Sequence, residues 1–377
     1  MALLSSEHEA MRKMVREFAQ KEVAPRAAHY DQTEEFPWDN VKKMAQIGLM
    51  GLPIPEQYGG AETDMLSYAI GIEEISKACA ATGVIMATNV SAMLPTLLFG
   101  TEEQKQRFLP ELASGEKLGA FALTEPNVGS DASRVATTAK LDGDEYVING
   151  TKCFITNGSV ADTFNVFASV DKSKGVKGIT AFVVEKGTPG LSIGKKEEKM
   201  GIRASSTTEV IFTNCRVPKE NMLGKEGEGF KIAMKVLDSG RIGIAAQALG
   251  IAQQAYEEAI QYSKQREQFG KPISGFQAIS SILADMAIQI EAARHLVYHA
   301  AMLKDAGVPF GKEAAIAKTF SSDTAVKVTT DAVQVMGGYG YSREYPVERL
   351  MRDAKITQIY EGTNQIQRVV IAGHILK

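Results

Sequence analysis

The sequence predicts an α+β fold in three blocks: an N-terminal α-helical domain (1–118), a middle antiparallel β domain (119–226) and a C-terminal helical bundle (227–377). Three observations predict it. Apolar residues recur at helical spacing up to about residue 118. Short β-branched or aromatic runs, separated by glycine turns, then fill the middle of the chain. From about Gly229 the helical period returns and holds to the end.

In the first block Leu4, Met11, Met14, Val15 and Phe18 lie on one helical face, with Ser6 and Glu9 in a capping-box pattern at its start. Val41, Met44, Ile47 and Leu49 mark a second helix, and Leu66 to Met86 reads as one long apolar helix, with a new one starting at Pro95. Thr101 to Gln104 is a further capping box, opening a helix that ends near Ser114-Gly115. In the second block the runs Leu118 to Thr124, Tyr146 to Asn149, Phe164 to Val170, Ile179 to Val184 and Glu209 to Phe212 read as strands. No helices lie between them, so a doubly wound parallel sheet is excluded. In the third, Phe230 to Arg266, Phe276 to Ala306 and Lys312 to Met336 are long helices joined by short loops, followed by shorter pieces near Glu348 and Gln365.

Composition narrows the function. The 42 basic and 45 acidic side chains leave a net charge of −3, so no global electrostatic case exists for a nucleic acid or an anionic membrane. No stretch approaches 18 uninterrupted apolar residues, and none of the three cysteines (Cys79, Cys153, Cys215) is close to another. Membrane spanning, a disulfide framework and a zinc ribbon are therefore not expected, and a reducing compartment is. The chain carries no P-loop and no nucleophile elbow. Glu291, His295 and His299 share a helix face, but a second element would have to complete a metal set; a solvated stripe is the simpler reading, and no metal is expected. The glycines of GKEGEGF (Gly224 to Phe230) fit a chain turn entering the long helix.

Three polar, glycine-bearing clusters stand out in apolar surroundings. FALTEPNVGSDAS (Phe121 to Ser133) runs from a strand into a turn dense with hydroxyls and amides, which an ordinary β-turn would also explain. QVMGGYGYSREYPVERLMRD (Gln334 to Asp353) has three glycines after a helix end, more than a helix stop needs. ITQIYEGTNQIQR (Ile356 to Arg368) places Glu361 after an apolar pair and before a helix start capped by Thr363 or Asn364. A partly desolvated carboxylate there suits general-base work, although a glutamate near a helix N-terminus also serves the helix dipole.

Together with MGIRASSTTEVIF (Met200 to Phe212), KCFITNG (Lys152 to Gly158) and QREQFGKPI (Gln265 to Ile273), these clusters resemble the acyl-CoA dehydrogenase family over essentially the whole chain, and its short-chain (butyryl-CoA) branch in particular. The resemblance implies an N-terminal helical domain, a middle β domain and a C-terminal four-helix bundle. It implies α,β-dehydrogenation of an acyl-CoA thioester with FAD as oxidant. Glu361 would remove the α-proton, with its own backbone N–H and a flavin ribityl hydroxyl stabilising the enolate, and the β-hydride would pass to flavin N5. Phe121, Leu123, Thr124, Gly129 and Ser130, with Phe154, Ile155 and Thr156, would line the flavin. Arg266, Gln268, Phe269 and Gln277 would reach a neighbouring subunit's FAD, and Gln334, Val335, Gly337 and Gly338 would bind its adenosine-diphosphate part. Thr363, Asn364 and Gln365 would hold the diphosphate at a helix start. Ser130, Asp238, Ser239, Gly240, Arg241 and Gly362 would contact acyl-CoA. Gln277 also completes a Ser-x-x-Gln capping pattern with Ser274, a purely structural alternative.

Glycine at position 240 stands where isovaleryl- and long-chain-type relatives carry the base, which assigns the base to Glu361. Val128 replaces a usually small residue, Phe154 a frequent tryptophan, and ATNVSAML (Ala87 to Leu94) departs from the short-chain pattern near the acyl tail. The resemblance further implies a homotetramer (a dimer of dimers) and electron-transferring flavoprotein as electron acceptor. A bacterial cytoplasm is expected, or a processed mitochondrial matrix enzyme. The same machinery could serve a branched or cyclic acyl-CoA, or run as an enoyl-CoA reductase or an acyl-CoA oxidase; a non-catalytic flavin- or CoA-binding scaffold is the alternative from another class.

Overall fold

A computed structural model describes residues 4–376. Six helices open the chain: α1 (Ser6–Phe18), α2 (Ala27–Thr33), α3 (Trp38–Gln46), α4 (Met65–Ala78), α5 (Ala80–Phe99) and α6 (Glu102–Ala113). The first cap lies one residue earlier than expected: Ser5, not Ser6, accepts from the His8 N–H, and His8 rather than Glu9 closes the box. The expected helix from 66 to 86 is broken at Cys79, whose backbone is extended (φ −156°, ψ 108°). Pro95 sits inside α5 rather than opening a new helix. A proline cannot bond back along the helix and crowds the preceding turn. In the turn before it, the Ala92 carbonyl accepts from Asn165 Nδ2 at 2.6 Å, tying α5 to the sheet. At mean hydropathy 1.4, α5 is long and apolar enough to cross a membrane, yet 78% of it is buried inside the protein, as expected of a core helix.

The middle block forms an eight-stranded sheet: β1 (Gly119–Ala122), β2 (Thr138–Asp142), β3 (Glu145–Thr156), β4 (Thr163–Ser169), β5 (Ile179–Glu185), β6 (Leu191–Lys196), β7 (Thr207–Pro218) and β8 (Met222–Leu223). Its order is β6-β7-β3-β2-β4-β5-β8, with β1 also on β4. The expected antiparallel pattern holds for most pairs, but β1 and the end of β2 run parallel to β4. Parallel pairing needs a long crossover, here residues 123–162, which hold the polar loop after β1 and the β2–β3 hairpin. Strands β2 and β6 carry too much charge and exposure to be visible as apolar runs.

The last block holds α7 (Gly229–Gln265), a small hairpin of β9 (Glu267–Gln268) and β10 (Lys271–Pro272), then α8 (Gln277–Asp305) and α9 (Gly311–Met336). The short helices α10 (Val347–Ile356) and α11 (Asn364–Ile375) pack against α9 and complete the bundle. The two helical blocks share one apolar core, because α4 and α5 pack on α7; the sheet has one core of its own and a second that it shares with Phe108 of α6 and Ile232 and Ala233 of α7. That shared core places the start of α11 beside the middle of α7.

Candidate active site

Glu361 lies in the turn between α10 and α11, at φ 53°, and is followed by Gly362 at φ 89°. Thr363 is the cap of α11 and accepts from the Ile366 N–H at 3.2 Å. This turn aims the Glu361 carboxyl at α7. A Cβ added at Gly240 would lie 2.5 Å from Glu361 Oε2, so only glycine leaves room for the carboxylate. Glu361, Gly240, Thr156, Val84, Ala87, Thr88, Ser91, Ile244 and Tyr360 line a small cavity of about 20 Å³. The hydroxyls of Thr88, Ser91 and Thr156 make its wall partly polar.

Burial pushes the Glu361 carboxyl up to about 7, and the cations of Arg241 and Lys318 oppose the rise. Arg241 is buried and pairs with Asp238, Nη1 to Oδ1 at 2.6 Å. Its Nε is also buried and lacks a hydrogen-bond partner among the described residues, leaving a donor for a ligand. Ser239 is buried beside them.

The segment from Phe121 to Ser130 leaves β1 and passes the end of β3. The Phe121 ring packs on Phe167 with centroids 4.9 Å apart; Leu123 and Val128 are buried, and Gly129 and Ser130 are exposed. The Cys153 N–H donates to the Thr124 carbonyl at 3.0 Å, tying this segment to the Lys152–Gly158 stretch. Register between β3 and β7 shifts between Lys152 and Ile155. That bulge puts Phe154 at φ 55° and turns its ring outward, 64% exposed, while Ile155 stays buried. Thr156 continues into the Glu361 cavity.

A second place gathers other predicted residues. Arg266, Gln268, Phe269, Val335, Gly337 and Gly338 line one open cavity of about 740 Å³. Gln277 and Gln334 are exposed and outside its lining. The capping pattern of Ser274 with Gln277 does not form: Ser274 belongs to a tight turn, and α8 starts after Phe276 without a side-chain cap. Of the diphosphate candidates, Gln365 is exposed. The side chain of Asn364 is buried and donates to Ser322 Oγ (2.9 Å) and Asp323 Oδ1 (2.7 Å), fixing α11 to α9. One chain thus brings Glu361, Gly240, Arg241 and Thr156 together but leaves the cavity around Arg266 as a distinct place.

Sequence reasoning missed Lys318, which is fully buried near Glu361. A signal existed, because Ala314, Lys318, Ser321 and Ala325 fall on the core-facing stripe of α9, where a lysine is out of place. It also missed Tyr68, buried against Gly243 on the same wall, whose hydroxyl is raised by burial and by Glu361.

The N-terminal, middle and C-terminal domains of acyl-CoA dehydrogenase match residues 5–116, 120–215 and 227–376. A short-chain-specific acyl-CoA dehydrogenase of Clostridium acetobutylicum is 58% identical over 375 residues, 99% of both chains. The solved butyryl-CoA dehydrogenase of Megasphaera elsdenii superposes with a TM-score of 0.97 at 52% identity, covering 99% of both. A chain in the solved structure of the electron transferring flavoprotein of Acidaminococcus fermentans gives 0.98 at 55% identity over the same share. With three domains matched in order and relatives more than half identical over the whole chain, the chain belongs to the acyl-CoA dehydrogenase family of flavin-dependent oxidoreductases.

Proposed function

We propose that the chain oxidises a short-chain acyl-CoA thioester to the trans-2-enoyl-CoA, with Glu361 as the base. The observation that carries the reading is the Glu361 carboxyl, turned onto Gly240 and held near neutrality by burial. An α C–H beside a thioester is weakly acidic, and a base whose pKa lies near the working pH serves it best. The α-proton goes to the Glu361 carboxylate. The Glu361 N–H and Arg241, which is buried and paired with Asp238, would orient the thioester and its CoA, and the packed walls of α5 and α7 would exclude water.

The residues present fit FAD. The cavity at Arg266 is roomy enough for a nucleotide, and a Cβ at Gly337 or Gly338 would meet nothing within 4 Å, which leaves backbone accessible. The outward ring of Phe154 and the hydroxyls of Thr124, Ser130 and Thr156 suit one flavin face, and the start of α11 suits a diphosphate. FAD, when bound, supplies the acceptor for the hydride leaving the β-carbon. Arg266 and Gln277 would serve the cofactor of a neighbouring subunit in a homotetramer. That role accounts for their distance from Glu361. The similarity to the chain from the Acidaminococcus fermentans structure supports electron-transferring flavoprotein as acceptor.

Anaerobic butyryl-CoA should bleach the flavin band of the yellow holoenzyme, with longer, branched and cyclic acyl-CoAs less effective. A protein that takes up no FAD, or keeps its colour with every acyl-CoA, overturns the proposal. A second reading, reduction of an enoyl-CoA, is favoured by 52% identity to an acryloyl-CoA reductase (NADH) of Anaerotignum propionicum. Rapid reoxidation of the reduced enzyme by acryloyl-CoA, with no turnover of butyryl-CoA, would select it.

A further inference from the structure

We propose that Lys318 is a positioning residue for Glu361: from the core-facing side of α9 it holds the left-handed turn that carries the carboxylate and keeps a positive charge behind it. The inference rests on the reading of Glu361 as the base. An ammonium buried without partners is strongly disfavoured, so its bonds are informative. Lys318 Nζ donates to the Gly362 carbonyl at 2.8 Å and to Asn364 Oδ1 at 2.9 Å. Gln367 Nε2 donates to the same Gly362 carbonyl at 2.9 Å and to the Glu361 carbonyl at 3.0 Å. Both carbonyls of the turn are therefore tied by side chains. Glutamate in the left-handed region is strained and persists only where its surroundings over-determine it. The ties from α9 and α11 supply that constraint.

The second half of the inference is electrostatic. The charged and titratable groups around Glu361 are Arg241 and Asp238 on α7, Lys318 and Asp323 on α9, Tyr68 on α4 and the adjoining Tyr360. Asp238 is paired with Arg241, and Asp323 accepts from Gln358, Asn364 and Arg368. The Lys318 charge instead ends on neutral acceptors, so its field reaches the base uncancelled by a bonded carboxylate. It draws the Glu361 carboxyl down, while burial pulls the lysine itself down to about 7 and Glu361 resists that fall. Without the charge, the base would titrate higher and less of it would be ionised at neutral pH.

The test compares Lys318→Met and Lys318→Gln holoenzymes with the wild type, and with Glu361→Gln alongside. In Lys318→Met the acid limb of kcat/KM should move up by about one pH unit, and the plateau kcat above the limb should fall roughly tenfold as the turn loosens. Flavin content and KM for butyryl-CoA should stay within about twofold. Acetoacetyl-CoA gives a readout without turnover: it has an acidic α-proton and no β-hydride to lose. Its enolate absorbance on binding should show the same upward shift. Lys318→Gln keeps a donor without the charge, so the plateau kcat above the limb should recover while the limb itself stays displaced. A limb at the wild-type position in Lys318→Gln overturns the proposal, and decides it even if Lys318→Met fails to fold. Bleaching that survives in Glu361→Gln would sink the base reading instead; an inactive Glu361→Gln beside unmoved lysine variants would sink this inference alone.

Discussion

Two buried glutamate–lysine neighbourhoods, one in the sheet and one in the bundle, have opposite electrostatic outcomes. In the sheet, Glu125 accepts from Lys152 Nζ (2.8 Å) and from the N–H groups of Thr137 (2.9 Å) and Ala136 (2.6 Å). Lys152 also donates to the Leu123 and Phe167 carbonyls at 3.1 and 2.6 Å. These bonds outweigh burial, and the Glu125 carboxyl is held below its ordinary range. In the bundle, Glu361 meets Arg241 and Lys318 only through space, because one is bonded to Asp238 and the other to Gly362 and Asn364. There burial wins, and the carboxyl rises to about 7. The same two residue types therefore make a fixed strut in one place and a carboxyl that titrates near neutrality in the other. Direct hydrogen bonds to the ionised form, rather than the mere nearness of a cation, decide which.

Each side of that contrast can be broken. The largest expected effect is on catalysis: Glu361→Gln should slow flavin bleaching by butyryl-CoA by roughly 10³-fold or more, while FAD and ligand still bind. Next is the strut. Lys152→Met strands the Glu125 charge in the sheet and should destabilise the protein by about 3–5 kcal/mol in denaturant unfolding, with the Leu123–Ser130 loop loosened. Glu361→Gln should do the reverse and stabilise the fold by about 3 kcal/mol at pH 8. The sign follows from a folded pKa raised from 4.5 to about 7. Stability from the neutral form is complete below 4.5 and is lost as pH rises through 7. The two proteins should therefore melt alike at pH 4 and separate between pH 5 and 8, and a pH-independent gap would refute the assignment. The smallest effect is steric. Gly240→Ala places a methyl against the Glu361 carboxylate and should lower kcat about tenfold to a hundredfold, with thermal stability changed by only a few degrees.

Much of this is legible in the sequence. The three-block architecture followed from hydrophobic period, and the Thr101–Gln104 box and the Thr363 cap formed as their spacing demands. The readings that failed share a cause. Cys79 breaks a helix with no glycine or proline to announce it, and Pro95 continues one against its propensity. Tertiary packing overrides local preference at both: Cys79 lies in the shared core, and Pro95 is buried within α5. Strands β2 and β6 escaped because one is mostly exposed and the other is charged, so neither carries an apolar run. The Ser274–Gln277 box failed because Ser274 was already used in the turn after β10.

By itself the sequence determined the order of elements and the glycine-bearing clusters, because caps, period and motif spacing are local properties of the chain; its resemblance to a family singled out Glu361 as the candidate base. Only the tertiary structure decided what that carboxylate can do. Its pKa is set by desolvation between α5, α7 and α11, its space by the missing side chain of Gly240, and its turn by Lys318 on α9. Those groups are far apart in sequence and meet only because the two helical blocks bury one common core. A pKa belongs to a place rather than to a residue type, and the fold makes the place.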